Sequence, residues 1–273
     1  MKKNIFVLTS LMLTLGCGCD SFLDETNYSD VTSEGGYYDT EAGLNAVVNA
    51  CYTPLRFWAG KEDAIGLSET GTDIIAAGSG CVDNNMAAYT QSLDGTNSAC
   101  TFYFDRFYAA INWCNTAIFH AQTVPNPSND EILATTLNKR EAEARVLRTF
   151  YYWILTETFG DIYYTDQPST SIVMNPVKTS TDNIYQYMFD DLDWAIKSKL
   201  STLQNDGGRV TIWTAKALKA RLLLTRASEK NDVDMYGQAY DLAKDVIENG
   251  PFELAEDFAS IWDMKNSDGD RKS

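Results

Sequence analysis

Catalytic and metal-binding side chains are scarce in this chain. Its 273 residues carry one histidine, His120, so a Ser-His-Asp or Cys-His arrangement would have to use that residue. Its place near a helix end reads as a surface position. No GxSxG elbow, P-loop, dinucleotide fingerprint or HExxH occurs. The six cysteines (Cys17, Cys19, Cys51, Cys81, Cys100 and Cys114) form no CxxC pair, and their spacings do not resemble a zinc site. Cys51 and Cys114 fall on predicted helices, where buried thiols are common, while Cys81 and Cys100 flank a loop-like segment and are the candidates for a disulfide. Positive charge is short as well. Lys and Arg total 22 against 38 Asp and Glu, a net charge of −16, which argues against nucleic acid or an anionic membrane surface as a direct partner. A neutral ligand fits, as does a cationic patch on another protein. No cofactor and no metal are expected.

What is present reads as an exported globular protein. Lys2 and Lys3 precede the apolar run from Ile5 to Leu15, which is too short to span a bilayer. The run closes on Leu15-Gly16-Cys17-Gly18-Cys19, so residues 1–19 are read as a lipoprotein leader, with either Cys17 or Cys19 as the acylated anchor. Residues 20–38 form a polar tether. From residue 39 on the chain is predicted to be helical, and with 44% apolar residues it can bury a sizeable core.

The helical signals recur in order. Thr40 and Glu41 supply a cap and a first-turn carboxylate for a helix carrying Leu44, Val47, Val48, Cys51 and Leu55 on one stripe, with Pro54 marking a kink or frayed end. Helices follow at 103–122, about 130–159, 182–200, 213–228 and 235–249. Ser128 with Glu131 reads as the capping box of the second of these, and Thr181-Asp182 as the cap of the third. The expected pairing sets 103–122 against 130–159 and 182–200 against 213–228, leaving 235–249 without a partner. Between Ala59 and Ala99 no period survives, and Gly60, Gly66, Gly71, Gly78, Gly80 and Gly95 punctuate the stretch. A loop of that length inside a compact domain is usually functional. Six Trp and fifteen Tyr can supply flat apolar faces of the kind carbohydrates stack on. Trp58, Asp73, Asp83, Asn84, Asn85 and Tyr89 combine such faces with hydrogen-bonding groups and are the candidate ligand-binding set. Tyr151, Tyr152, Trp153, Phe107, Trp194 and Trp213 lie on helices and are read as core.

The most distinctive stretch is Lys139 to Asp166. Ala144, Leu147, Phe150, Tyr151, Ile154 and Leu155 repeat at helical spacing, while Glu141, Glu143, Arg145, Arg148 and Glu157 are assigned to the remaining surface. Glu141 and Arg145 stand at i,i+4, and Gly160 is placed to end the helix. The string AEARVLRTFYYW followed by FGDIYYTD resembles the hallmark of the SusD/RagB-type outer-membrane nutrient-binding lipoproteins. Ala142, Glu143, Ala144, Arg145, Leu147, Arg148, Tyr151, Tyr152, Leu155, Phe159, Gly160, Asp161 and Ile162 carry the match. Tyr163 stands where that family usually has proline. Ser68-Glu69-Thr70-Gly71-Thr72-Asp73, Phe104–Ile118, Asp190–Ala195 and Thr214–Leu224 resemble further family elements in the same order.

That resemblance implies an all-α fold, a tetratricopeptide-like array of antiparallel helix pairs with long irregular loops. It implies a cell-surface lipoprotein of the outer membrane that captures a glycan or other oligomeric nutrient for a SusC-like TonB-dependent transporter and catalyses no reaction. Family members usually continue well past the length seen here, so residues 39–273 are expected to be an incomplete N-terminal helical domain. Two alternatives remain open on the residues alone. One is a helical protein-interaction scaffold with no nutrient site. The other is a secreted all-α glycosidase, although no spacing singles out a carboxylate pair.

Overall fold

The computed structural model describes residues 37–59, 62–76, 78, 84–126, 128–202, 208–254 and 256–262. The leader with Cys17 and Cys19, the tether up to residue 36, Cys81 and Asp83 lie outside that set, as does the side chain of Asn84.

A short 3-10 turn, Tyr37–Asp39, leads into α1, Glu41–Tyr52. Thr40 caps it as expected, its Oγ1 accepting the Gly43 N–H at 3.0 Å. The turn lies directly on Gly43, where a Cβ would sit 1.8 Å from the Tyr37 carbonyl oxygen, so a side chain is excluded there. At Pro54 the helix breaks and restarts as α2, Leu55–Ala59. The stretch predicted to lack periodic structure contains two short helices, α3 (Glu62–Ser68) and α4 (Asn84–Ala88). Each is too short for a 3.6-residue period to show in sequence.

The scaffold proper follows. α5 is Ser98–Thr123, α6 is Glu131–Phe159, α7 is Thr181–Lys197, α8 is Ile212–Lys230 and α9 is Val233–Asn249. A two-stranded antiparallel ladder, β1 (Ile162–Tyr163) with β2 (Lys178–Thr179), joins α6 to α7, pairing Ile162 with Thr179. The caps differ by one or two residues from the sequence reading. Asp130, not Ser128, starts α6 by accepting from Ile132 and Leu133 N–H, and Ser180, not Thr181, starts α7. Gly160 ends α6 at φ +70, as anticipated.

Each long helix packs on the next: α1 on α5 and α6, then α5 on α6, α6 on α7, α7 on α8 and α8 on α9. The helix expected to be partnerless therefore has one. Asn231 takes the left-handed conformation (φ 54, ψ 41) and Asp232 caps the next helix through the Met235 N–H, reversing the chain within two residues. The core runs along the array through Leu44, Val48, Phe107, Ile111, Tyr151, Leu155, Ile184, Leu192 and Leu222, all wholly buried. Each such side chain contributes about 1.5–3 kcal/mol of burial free energy.

Two further expectations fail, for one reason. Because α6 is covered by α1, α5 and α7, Glu141, Glu143 and Arg148 are buried and Arg145 is half-buried, whereas Glu157 near the helix end is exposed as expected. Arg148 donates through Nε and Nη2 to the two oxygens of Asp191, both at 2.8 Å, and through Nη1 to Asn115 Oδ1 at 2.8 Å. Arg145 bridges Asp191 and Glu141 and lies 4.6 Å over the Trp194 ring. Glu143 accepts from Tyr52 Oη at 2.6 Å and Arg209 Nη1 at 2.8 Å. His120 is likewise buried, 1% exposed, with Nδ1 2.8 Å from Asp39 Oδ1.

Candidate functional site

The network around Arg148 positions the chain that leaves α6. Asn115 Nδ2 donates to the carbonyls of Thr165 (3.1 Å) and Gln167 (3.0 Å), Tyr108 Oη to Tyr163 O (2.6 Å) and Tyr152 Oη to Thr165 O (2.7 Å). Asp161 then reaches forward, accepting the Thr181 N–H at 2.8 Å and so tying the end of α6 to the start of α7. Burial pushes the Tyr152 phenol far above its ordinary value, against the opposing pull of its hydrogen bond to the Thr165 backbone. For Arg148, burial acts against the charge, but the Asp191 carboxylate outweighs it and raises the guanidinium well above its usual range. These groups are fully engaged with one another. They hold the C-terminal end of α6 in place, and the site forms at that end.

The site is a cleft of about 1,000 Å³ between α3, α4 and the turn after it, the first turns of α5 and the last turns of α6, with Arg221 of α8 at its border. Five aromatic rings line it. Trp58, at the end of α2, stands edge-on to Tyr103 (5.8 Å, 83°). Phe104 meets Phe159 edge-to-face (5.3 Å, 85°), closing the α5–α6 side. Trp153 carries the Arg221 guanidinium 4.8 Å over its ring. Tyr89 is 71% exposed and itself sits at φ +49, directly after α4. Its ring lies against the backbone of Gly71, which is at φ +82 and where a Cβ would stand 2.9 Å from the ring edge. The glycine lets the ring approach its backbone, and Tyr89 itself takes a left-handed conformation uncommon for a residue with a side chain, a feature that concentrates at binding sites.

Polar groups alternate with the rings. Glu69, Thr70, Asp94, Thr101, Glu157 and Arg221 are on the lining. Asp94 Oδ1 accepts from Thr96 N–H (2.8 Å) and Thr96 Oγ1 (2.7 Å), which holds its carboxyl below the ordinary range. Glu157 accepts from Tyr185 Oη at 2.5 Å. The Glu69 backbone is fixed by Thr72 Oγ1, which donates to its carbonyl at 2.6 Å, and a bridge between Thr70 and Ile75 closes that loop. Among the described residues no group of three or more His, Cys, Asp and Glu is placed to hold a metal. The arrangement suits a ligand with apolar faces and many hydroxyls.

Of the six residues singled out from sequence, Trp58 and Tyr89 line this cleft. Asp73 is exposed on the same loop but is not on the lining, and Asn85 Oδ1 accepts from Thr90 Oγ1 at 2.7 Å behind Tyr89. Asp83 and the Asn84 side chain lie outside the described residues. The sequence reading misses Phe104, Trp153 and Phe159, because helical spacing alone does not separate a ring in the core from one at a helix end. Trp153, expected in the core, is half-buried with Glu157 one turn further along.

The chain is thus a helical array of stacked antiparallel neighbours with an aromatic, acid-bordered cleft at the ends of its helices. Residues 72–266 match the SusD-like family described as "Starch-binding associating with outer membrane", and the chain belongs to that family. It is similar to a SusD-like protein of Bacteroides ovatus, 26% identical over 98% of this chain and 48% of the relative. Among solved structures it resembles a SusD superfamily protein of Parabacteroides distasonis (TM-score 0.69, 21% identity, 80% of this chain and 46% of that one). It also resembles surface glycan-binding protein A of Bacteroides uniformis (TM-score 0.67, 22% identity, 83% of this chain and 50% of that one). The chain spans about half the length of the curated relatives it matches.

Proposed function

We propose that the chain captures oligosaccharide in the cleft between Trp58, Tyr89 and Phe104. The observation that carries this reading is the exposed Tyr89 ring, itself at positive φ and held against Gly71, in a cleft also lined by hydrogen-bonding groups. A volume of about 1,000 Å³ is at the upper end of small-molecule sites, which favours an oligomer over a single sugar. Rings bind the apolar faces of the sugar, and Glu69, Thr70, Asp94 and Thr101 bind its hydroxyls. The cleft binds and does not cut its ligand. In this reading Cys17 or Cys19 carries the lipid that anchors the protein at the outer membrane, and a SusC-like TonB-dependent transporter receives the sugar. The family's described association with the outer membrane supports that setting. Among the described residues no helix is long and apolar enough to cross a membrane.

Calorimetry against a panel of plant and microbial oligosaccharides tests the reading. Tyr89→Ala and Trp58→Ala, checked for folding by circular dichroism, should each weaken the best ligand on the order of tenfold or more, the loss expected for an aromatic anchor. If no oligosaccharide binds, or if both variants bind as the parent does, the capture reading is wrong and a protein-interaction scaffold takes its place. Co-purification from membranes tests the transporter, and acyl labelling of Cys17→Ser and Cys19→Ser variants tests the anchor.

A further inference from the structure

We infer that the cleft is selective for neutral glycans and turns away those that carry carboxylate or sulfate groups. This rests on the capture reading and adds the charge class of its ligand. Among the described residues four charged side chains line the cleft: Glu69, Asp94 and Glu157 against Arg221. Asp94 is held ionised by the two hydrogen bonds from Thr96. Glu157 has one oxygen accepting from the Tyr185 phenol, a neutral partner that leaves the carboxylate's charge uncancelled.

Arg221, the cation among the described lining residues, offsets one of these three negative charges. Its guanidinium is placed over the indole of Trp153 and covers that ring face. A net excess of carboxylates therefore faces the ligand, within a chain whose total charge is −16. A uronate or sulfate ester entering it meets fixed charge of its own sign, while a neutral hydroxyl meets a strong acceptor. The same carboxylates that hold a neutral sugar act as the barrier against an acidic one.

The test uses matched ligands and the full chain. Binding is measured for a neutral xylo- or gluco-oligosaccharide and for the same backbone bearing uronic acid, at low and at high salt. The neutral ligand should bind at least tenfold more tightly at low salt, and the gap should shrink as salt screens the cleft. Glu69→Gln and Asp94→Asn should each narrow the gap by improving the acidic ligand relative to the neutral one, whatever they cost in absolute affinity. Equal or tighter binding of the acidic ligand, or a gap that salt and both variants leave unchanged, overturns the inference while leaving oligosaccharide capture standing. Failure of both ligands together with the rest of the panel removes the capture reading and this inference with it.

Discussion

Replacing Asp191 with alanine should be among the most damaging single changes in the array. Asp191 is 6% exposed and accepts three hydrogen bonds, two from Arg148 at 2.8 Å and one from Arg145 at 2.6 Å. Arg148 is 3% exposed. Without Asp191 its guanidinium keeps only neutral acceptors, Asn115 Oδ1 and the Asp166 carbonyl, and stays charged because arginine does not give up its proton. Stranding a buried charge in this way costs about 3–5 kcal/mol. At roughly 2–4 °C per kcal/mol for a domain of this size, the melting temperature should fall by about 6–20 °C. The measurement is thermal and urea unfolding followed by circular dichroism. Lys244→Ala is the control, since the Lys244–Glu248 pair is at 3.8 Å with both side chains about half exposed, and it should change stability by less than about 0.5 kcal/mol. The double variant Arg148→Met with Asp191→Leu removes both charges and should recover much of the loss. A loss below about 1 kcal/mol for Asp191→Ala, the range of a surface pair, would refute the claim that this cluster is a buried latch.

Gly71→Ala should displace the Tyr89 ring and lower oligosaccharide affinity without global unfolding, since φ +82 costs an L-residue about 1–2 kcal/mol and the new methyl meets the ring; unchanged affinity would separate Tyr89 from binding. Burial raises the phenol pKa of Tyr52, Tyr108, Tyr151, Tyr152, Tyr164 and Tyr185. Their contribution to stability is fully present below the unfolded value of about 10 and is lost as pH rises through the raised folded values, so in an alkaline absorbance titration they should ionise only with unfolding. Titration of all the tyrosines at the ordinary value in folded protein would contradict this. Asp161 is shifted the other way, its carboxylate lowered by hydrogen bonds from the Thr181 backbone and hydroxyl. Its contribution is present above the unfolded value of about 3.9 and is lost as pH falls through the lowered folded value, so the stability gap between the parent and Asp161→Asn should close only on the acid side of about pH 4. A gap that persists at the acid extreme would mean that the cap does not depend on charge.

The long helices are legible in the sequence because their information is periodic. Leu44, Val47, Val48 and Cys51 on α1, and Leu147, Tyr151, Ile154 and Leu155 on α6, declare a buried stripe whatever packs against it, and all are buried. What the period does not contain is how many sides of a helix are covered. Arg148 and Glu143 look like surface residues on a helix with one neighbour. They are internal on a helix with three, and only the tertiary arrangement fixes that number. His120 escapes a sequence reading for the same reason, since its partner Asp39 is 81 positions away on a turn that packs back over α5.

The site is legible to a smaller extent, and the division follows from the physics. The hallmark stretch that identifies the family spends its polar residues on one another: Arg145 and Arg148 on Asp191, Tyr152 on the Thr165 backbone, Asp161 on Thr181. A residue whose every donor is used to hold the scaffold has none left for a ligand. Such a motif therefore marks the frame and carries little information about what the frame binds. The rings that line the cleft are divided: Tyr89 stands in the irregular stretch, Trp58 in a five-residue helix and Phe159 at the end of α6, while Phe104 and Trp153 lie on regular helices. Tyr89 is exposed and stands clear of the core, so a substitution there can change what is bound while the fold stays the same, whereas Trp58 and Phe159 also pack on the core. Specificity in this chain is accordingly to be sought between residues 58 and 104 and at the last turn of α6, and the latch residues should alter stability before they alter ligand choice.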